Sequence, residues 1–231
     1  MASVIQDEAE ARAAIVNSCR DMTALGINQG TSGNISVRAE NGILITPSGR
    51  SYDQMVPEDI ISMKWDGTWT GTPGNVPSSE WRFHLDILKS KPEVGAVVHA
   101  HPIYCTIIAI MNRPIPAIHY MIAVSGGKDV PCAPYAQYGT QELSERALEA
   151  LQNRRACLLA HHGLIATGAT LKRAMWIAGE VEVLAKQYHG CLQLGEPPLL
   201  PDEEIDSILA RWGGYGLREK AKQPEAISAS N

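Results

Sequence analysis

Apolar residues near the start of the chain recur at spacings of three and four: Ile15, Val16, Cys19, Met22 and Leu25. That period predicts an amphipathic helix, closed by Gly26. The period then changes, and NQGTSGNISVRAENGILITPSG reads as loop, strand, an Asn41-Gly42 hairpin turn, strand and loop. DGTWTGTPGNVPSS holds too many Gly, Pro and Ser residues for a regular element and is expected to be an exposed loop. Pro77-Ser78-Ser79-Glu80 opens a helix with Trp81, Leu85 and Leu88 on one side and Ser78 or Ser79 as its N-cap, ending before Pro92. VGAVVHAH is the strand after it. ACLLAHHGLIATG, broken at Gly163, is a second strand-like run, and a long helix starts near Thr170 with Leu171, Met175, Ala178, Val181, Ala185 and Tyr188 inward.

The chain has 231 residues, 45% of them hydrophobic, which suits one large domain over residues 1–217. The tail over 218–231, REKAKQPEAISASN, is polar and expected to be disordered. A formal net charge of −5 gives no electrostatic reason for a nucleic-acid or anionic-membrane partner, so any phosphate must be held by local groups. The five cysteines, Cys19, Cys105, Cys132, Cys157 and Cys191, are widely spaced without a Cys-x-x-Cys pair, and read as buried thiols in a reducing compartment. The N-terminal segment carries acids and no signal-like apolar core, and no run of about 18 apolar residues occurs, so a soluble cytoplasmic protein is expected.

Candidate chemistry centres on VVHAHP. Side chains alternate along a strand, so His99 and His101 share one face and form a ready pair of metal ligands; a solvated strand end is the competing reading. A third imidazole is offered by AHHG, where His161 and His162 point opposite ways on a strand, leaving one to join the pair and the other to serve in the core or an interface. Three imidazoles leave a fourth tetrahedral position open, the arrangement of a catalytic zinc. Glu80 is the nearest acid, as displaceable ligand and proton carrier, or simply as a first-turn acid favoured by the helix dipole. His84, four residues on, could share a metal with Glu80 or have a solvent or packing role. Thr31, Ser32, Gly33, Asn34, Ser48, Gly49, Ser78 and Ser79 lie in TSGNIS, TPSG and PSSE, small polar turns whose backbone N–H groups could cradle a phosphate without a lysine.

The blocks LGINQGTSGNISVR, LITPSG, PSSEWRFH, AVVHAHP, PAIHYMIA, PCAPYAQYGT, HHGLIA and GYGLR occur in order from about Ile15 to Arg218. Together they resemble the class II, zinc-dependent L-fuculose-1-phosphate aldolases. The resemblance implies an α/β fold: a single domain whose central, largely antiparallel sheet is flanked by helices on both sides. It implies one Zn2+ per subunit on His99, His101 and His162, with Glu80 beside the metal and acting as acid/base. Phosphate recognition falls to Asn34, Ser48, Gly49, Ser78 and Ser79. Tyr120 and Tyr215 match tyrosines supplied across a subunit interface of a homotetramer, one of them protonating the aldehyde oxygen.

The implied activity is reversible cleavage of a ketose 1-phosphate to dihydroxyacetone phosphate and a short aldehyde. Tyr138 and Trp212 stand where the fuculose enzyme has phenylalanines in its aldehyde pocket, which makes a 5-deoxy- or 5-methylthio-pentulose 1-phosphate a competitor to L-fuculose 1-phosphate. Rival readings are a sugar-phosphate 4-epimerase or dehydratase of the same superfamily, an adducin-like structural domain, and a Schiff-base aldolase using Lys128 in SGGKD.

Overall fold

A computed structural model describes residues 7–211. The strands are β1 (Asn34–Ala39), β2 (Gly42–Ile45), β3 (Ile61–Lys64), β4 (Trp69–Thr70), β5 (Ala96–Ala100), β6 (Cys132–Ala133), β7 (Ala156–Leu159) and β8 (Gly163–Gly168). They form one sheet in the order β4-β3-β2-β1-β5-β8-β7-β6, antiparallel throughout except for the β6–β7 pair. The helices are α1 (Glu8–Ala24), α2 (Trp81–Ser90), α3 (Ile103–Ile110), α4 (Gln141–Ala150), α5 (Leu171–Leu192) and α6 (Asp202–Arg211).

Both faces of the sheet are covered, which is why its central strands read as nearly unbroken apolar runs. On one face Ile35, Val37, Val98, Leu164 and Ala166 join a core with Ile15 and Met22 of α1, Ile108 of α3, and Ile177 and Val181 of α5. On the other, Ile43, Ile45, Val97, Leu159 and Ile165 meet Phe83 and Leu88 of α2 and Leu143 and Ala147 of α4. Alternation along β5 thus sends Val98 and Ala100 to the first core and Val97 to the second, and His99 follows Val97. Each fully buried Ile, Leu or Phe contributes about 1.5–3 kcal/mol of transfer free energy.

Most elements begin and end where the pattern places them. Asp7 caps α1 through Ala9 and Glu10 N–H, Gly26 ends the segment in the left-handed region at φ +70°, and Thr170 caps α5 through Arg173 N–H. Four local expectations change. Leu25 is exposed rather than inward. The hairpin loop is Glu40-Asn41, because Ala39 pairs with Gly42, one residue earlier than the Asn-Gly dipeptide suggests. Gly42 serves the sheet instead: a Cβ there would stand 1.9 Å from the Met63 carbonyl oxygen of β3. The Gly/Pro-rich loop contains the two-residue edge strand β4, held by Ser62–Thr70 and Met63–Trp69 pairing. Finally, α2 is capped neither by Ser78 nor by Ser79: the cap position is Glu80, whose side chain makes no cap bond, and Ser78 accepts the Glu80 N–H at 3.3 Å. Cys19, Cys105 and Cys157 are buried free thiols as expected, whereas Cys132 and Cys191 are half-buried. The tail at 218–231, with Trp212 and Tyr215, lies outside the described residues.

Candidate active site

His99 sits near the end of β5, His101 just beyond it, and His162 in the turn that joins β7 to β8. Gly163 makes the third approach possible, since a Cβ there would be 2.5 Å from the Ala100 carbonyl oxygen and 2.8 Å from the His101 ring. The backbone N–H of His101 is tied to the buried Asn28 side chain at 3.1 Å. The three rings stand in edge contact, with centroids 4.8 to 4.9 Å apart. Among the described residues, their ligand atoms all lie within 4.8 Å of one another and could hold a metal ion.

The donor set fits a cation. The Leu164 carbonyl can only accept, so at 2.9 Å it fixes the proton on His99 Nδ1 and leaves Nε2 bare. That bare nitrogen is 3.1 Å from Glu80 Oε2, an acceptor facing an acceptor unless positive charge stands between them, and 3.0 Å from His101 Nε2. Glu80 Oε1 is buried without a hydrogen bond, 3.2 Å from His162 Nε2. These spacings are close to the ~3.3 Å edge of a tetrahedron with zinc–nitrogen bonds of about 2.0–2.1 Å. Burial, followed by the charges of His99 and His162, pushes the His101 pKa down to about 3, so the cluster resists carrying a proton on every ring. Burial alone would raise the Glu80 pKa; positive charge placed at His99, with the contacts of His99 and His162, outweighs it and holds the carboxyl well below the usual range.

The small-residue loops converge on the same end of the sheet. An isolated bridge pairs Pro47 with Pro77, Ser78 N–H donates to the Thr46 carbonyl at 3.0 Å, and Ser48 N–H donates to the Val76 carbonyl at 2.9 Å. Thr46 also exchanges backbone and hydroxyl bonds with Ile35, so TPSG and PSSE lie against GNIS. Ser48, Gly49 and Ser79 are exposed and Ser78 is buried. Asn34 differs from this group: its buried amide is committed to Glu80 Oε2 at 3.0 Å and to His84 at 2.5 Å. A cleft of about 320 Å³ borders Glu80, His101 and His162 and is walled by Ser32, Ser79, Tyr135, Tyr138 and His161.

Other candidates fall elsewhere. His84 is fully buried, not at solvent, and bonds Ser36 and Asn34. His161 is neither in the core nor in the three-histidine group; it is exposed at φ +56°, its Nε2 accepts from the Asn112 amide at 3.1 Å, and it lines the cleft. Lys128 is bound to Asp202 and Asp206 of α6, each at 3.0 Å, and is absent from the cleft wall. Tyr120 opens a short 3-10 helix over Tyr120–Ser125, exposed, its ring 4.6 Å from that of His119. Sequence reasoning missed Asn28 and Tyr52. Tyr52 hydroxyl donates to the Gly33 carbonyl at 2.6 Å and meets the Asn28 amide at 3.3 Å, locking the TSGN loop beneath His101. Their signal was faint: one Asn in a turn-rich block and one Tyr after it.

Comparison with known proteins agrees with this geometry. The chain is 53% identical over 205 residues to an L-fuculose phosphate aldolase of Escherichia coli, covering 88% of this chain and 94% of that one. It is 50% identical over 215 residues to a 5-methylthioribulose-1-phosphate/5-deoxyribulose-1-phosphate aldolase of Rhodospirillum rubrum, covering 93% and 96% of the two chains. A solved L-fuculose 1-phosphate aldolase superposes with a TM-score of 0.85 at 38% identity, covering 88% of this chain and 96% of the other. One from Thermus thermophilus does so with a TM-score of 0.69 at 30% identity, covering 82% and 100%. With residues 13–189 matching the family described as Class II Aldolase and Adducin N-terminal domain, and the three-histidine cluster lying inside that span, the chain belongs to the class II aldolase family.

Proposed function

We propose that this protein is a zinc-dependent aldolase that reversibly cleaves a ketose 1-phosphate to dihydroxyacetone phosphate and a short aldehyde. The ketose is L-fuculose 1-phosphate or a 5-deoxy- or 5-methylthio-pentulose 1-phosphate. The observation that carries the reading is the convergence of three imidazoles on one centre beside a buried carboxylate oxygen that lacks a hydrogen bond. Both relatives quoted above act on substrates of this class, as their names state.

Zinc held by His99, His101 and His162 supplies, when bound, a Lewis acid for the negative charge that develops on the three-carbon fragment as the C3–C4 bond breaks, worth several kcal/mol. In the direction of synthesis Glu80 takes the proton from dihydroxyacetone phosphate through Oε1. Tyr120 or Tyr215, reaching in from a neighbouring subunit, protonates the new alkoxide. Ser48, Gly49, Ser78 and Ser79 hold the phosphate; we assign the Asn34 side chain to Glu80 rather than to the phosphate, because both ends of its amide are already committed. Tyr138, on the cleft wall, and Trp212 shape the aldehyde pocket.

A homotetramer with the site at its interface is supported by α3, which follows His101 directly and leaves Ile103, Ile110 and Met111 exposed around the half-buried Ile107. The free cysteines fit a cytoplasmic, reducing setting, and no described helix is long and apolar enough to cross a membrane. Purified protein incubated with dihydroxyacetone phosphate and a panel of aldehydes tests the reading. We expect ketose phosphate formation with lactaldehyde or methylthioacetaldehyde and poor use of unphosphorylated dihydroxyacetone; equal rates with and without the phosphate refute the cradle.

A further inference from the structure

Two short patterns meet across the interior: Asn34 and Ser36, two apart on one face of β1, and Glu80 and His84, four apart at the start of α2. All four are buried, at 5%, 0%, 5% and 0% exposure respectively, so each polar atom has to find a partner inside the protein. The contacts run in series. Ser36 Oγ lies 2.7 Å from His84 Nδ1, His84 Nε2 lies 2.5 Å from Asn34 Oδ1, and Asn34 Nδ2 lies 3.0 Å from Glu80 Oε2.

With the buried His84 ring neutral, only one assignment of hydrogens satisfies this series. A carboxylate accepts, so Asn34 must offer its NH2 to Glu80 and turn its carbonyl toward His84. A carbonyl accepts, so His84 must carry its proton on Nε2; Nδ1 is then bare and the Ser36 hydroxyl donates to it. Every donor points toward the carboxylate, and bonds aligned in this way polarise one another. Phe83 stacks on the His84 ring at 4.7 Å and fixes its plane.

We propose that Ser36, His84 and Asn34 form a buried positioning rail that orients Glu80 and makes its two oxygens unequal. Oε2 is anchored by Asn34, while Oε1, which meets only the His162 ring at 3.2 Å, is the oxygen left to exchange a proton with substrate. His84 is fully buried and absent from the cleft wall; it acts by forbidding the flipped Asn34 amide, which would set a carbonyl against the carboxylate. The catalytic meaning of the rail rests on Glu80 being the proton carrier of the proposed aldolase, whereas its hydrogen-bond direction does not.

Two measurements separate these levels. In 15N-histidine NMR of the zinc-loaded full-length protein, His84 should show a protonated Nε2 and a bare Nδ1, unchanged from about pH 6 to 9, as expected for an imidazole whose pKa burial pushes to about 3. A proton on Nδ1, or a ring that titrates in that range, overturns the rail whatever the enzyme's substrate. In kinetics, His84→Leu, which removes the donor, should lower kcat about 10- to 100-fold, the range for losing a hydrogen bond that serves a charged group. KM and bound zinc should change little, and His84→Gln, which restores an N–H near the Nε2 position, should recover most of the loss. A role confined to packing predicts a lower melting temperature but unchanged kcat per zinc-loaded site, with no advantage for Gln over Leu, and that result refutes the proposal. If His84→Leu fails to fold, Ser36→Ala, a smaller change, should show the same kcat-selective loss at lower amplitude; an unchanged kcat there also refutes it. Absence of aldol turnover in the wild-type protein would count against the function alone, leaving the tautomer to decide the rail.

Discussion

Glu182 of α5 does for α3 what the local sequence does not. The residue before α3 is Pro102, which offers no capping side chain, yet the Glu182 carboxylate accepts the N–H groups of Tyr104 at 2.9 Å and Cys105 at 2.8 Å. In Glu182→Ala the Cys105 N–H, on a fully buried residue, is left without a partner, which costs about 1–3 kcal/mol. The Tyr104 N–H is half-buried, so water compensates in part and its loss is nearer the ~1 kcal/mol of an ordinary cap. Removing a negative charge from the helix N-terminus adds about 0.3–1 kcal/mol. The sum is about 2–5 kcal/mol. With a urea slope of about 2 kcal/mol/M, the unfolding midpoint at fixed protein and zinc concentration should fall by about 1–2.5 M. Because α3 starts two residues after His101, zinc affinity should fall as well, read by competition with a chelator. Glu182→Gln keeps one oxygen acceptor and should lose about half as much, while Glu203→Ala on the exposed start of α6 should change little. A Glu182→Ala midpoint equal to that of Glu203→Ala would refute the cross-helix cap.

Chelation should abolish turnover and lower the melting temperature, and zinc should restore both; full activity in metal-free protein removes the metal from the mechanism. Glu80→Gln should keep the fold and lower kcat by about 100-fold or more, since an amide cannot carry the proton, and an unaltered rate would reduce Glu80 to a structural acid. Lys128→Met should leave turnover intact and borohydride should trap no substrate adduct, because this lysine is engaged by Asp202 and Asp206; inactivation with trapping would revive the Schiff-base route. Gly42→Ala forces a Cβ onto the Met63 carbonyl and should destabilise the β2–β3 pair by about 1–3 kcal/mol, measured by urea unfolding; a neutral change would mean the edge of the sheet moves freely.

Residue order by itself determined what depends on period and on chain neighbours. Two-residue alternation put His99 and His101 on one face, and the same rule puts Asn34 and Ser36 together on β1. Three- and four-residue spacing located α1, α2 and α5, whose Asp7 and Thr170 caps lie beside the positions they serve. Tertiary structure decided whatever depends on contacts between distant segments. His162 rather than His161 enters the cluster because the two occupy a turn, not a strand, with His161 in the left-handed region. Glu80, expected in the first turn, stands at the cap position of α2 without making a cap bond, because its carboxylate is drawn inward by Asn34, 46 residues away, and by His99 and His162. The Asn34 side chain is held by Glu80 and His84 in the same way. Local periodicity says which face a side chain takes, but the partner across that face comes from the order of strands in the sheet, where β1 pairs with β5 across the intervening β2–β4 meander and α2 of the chain.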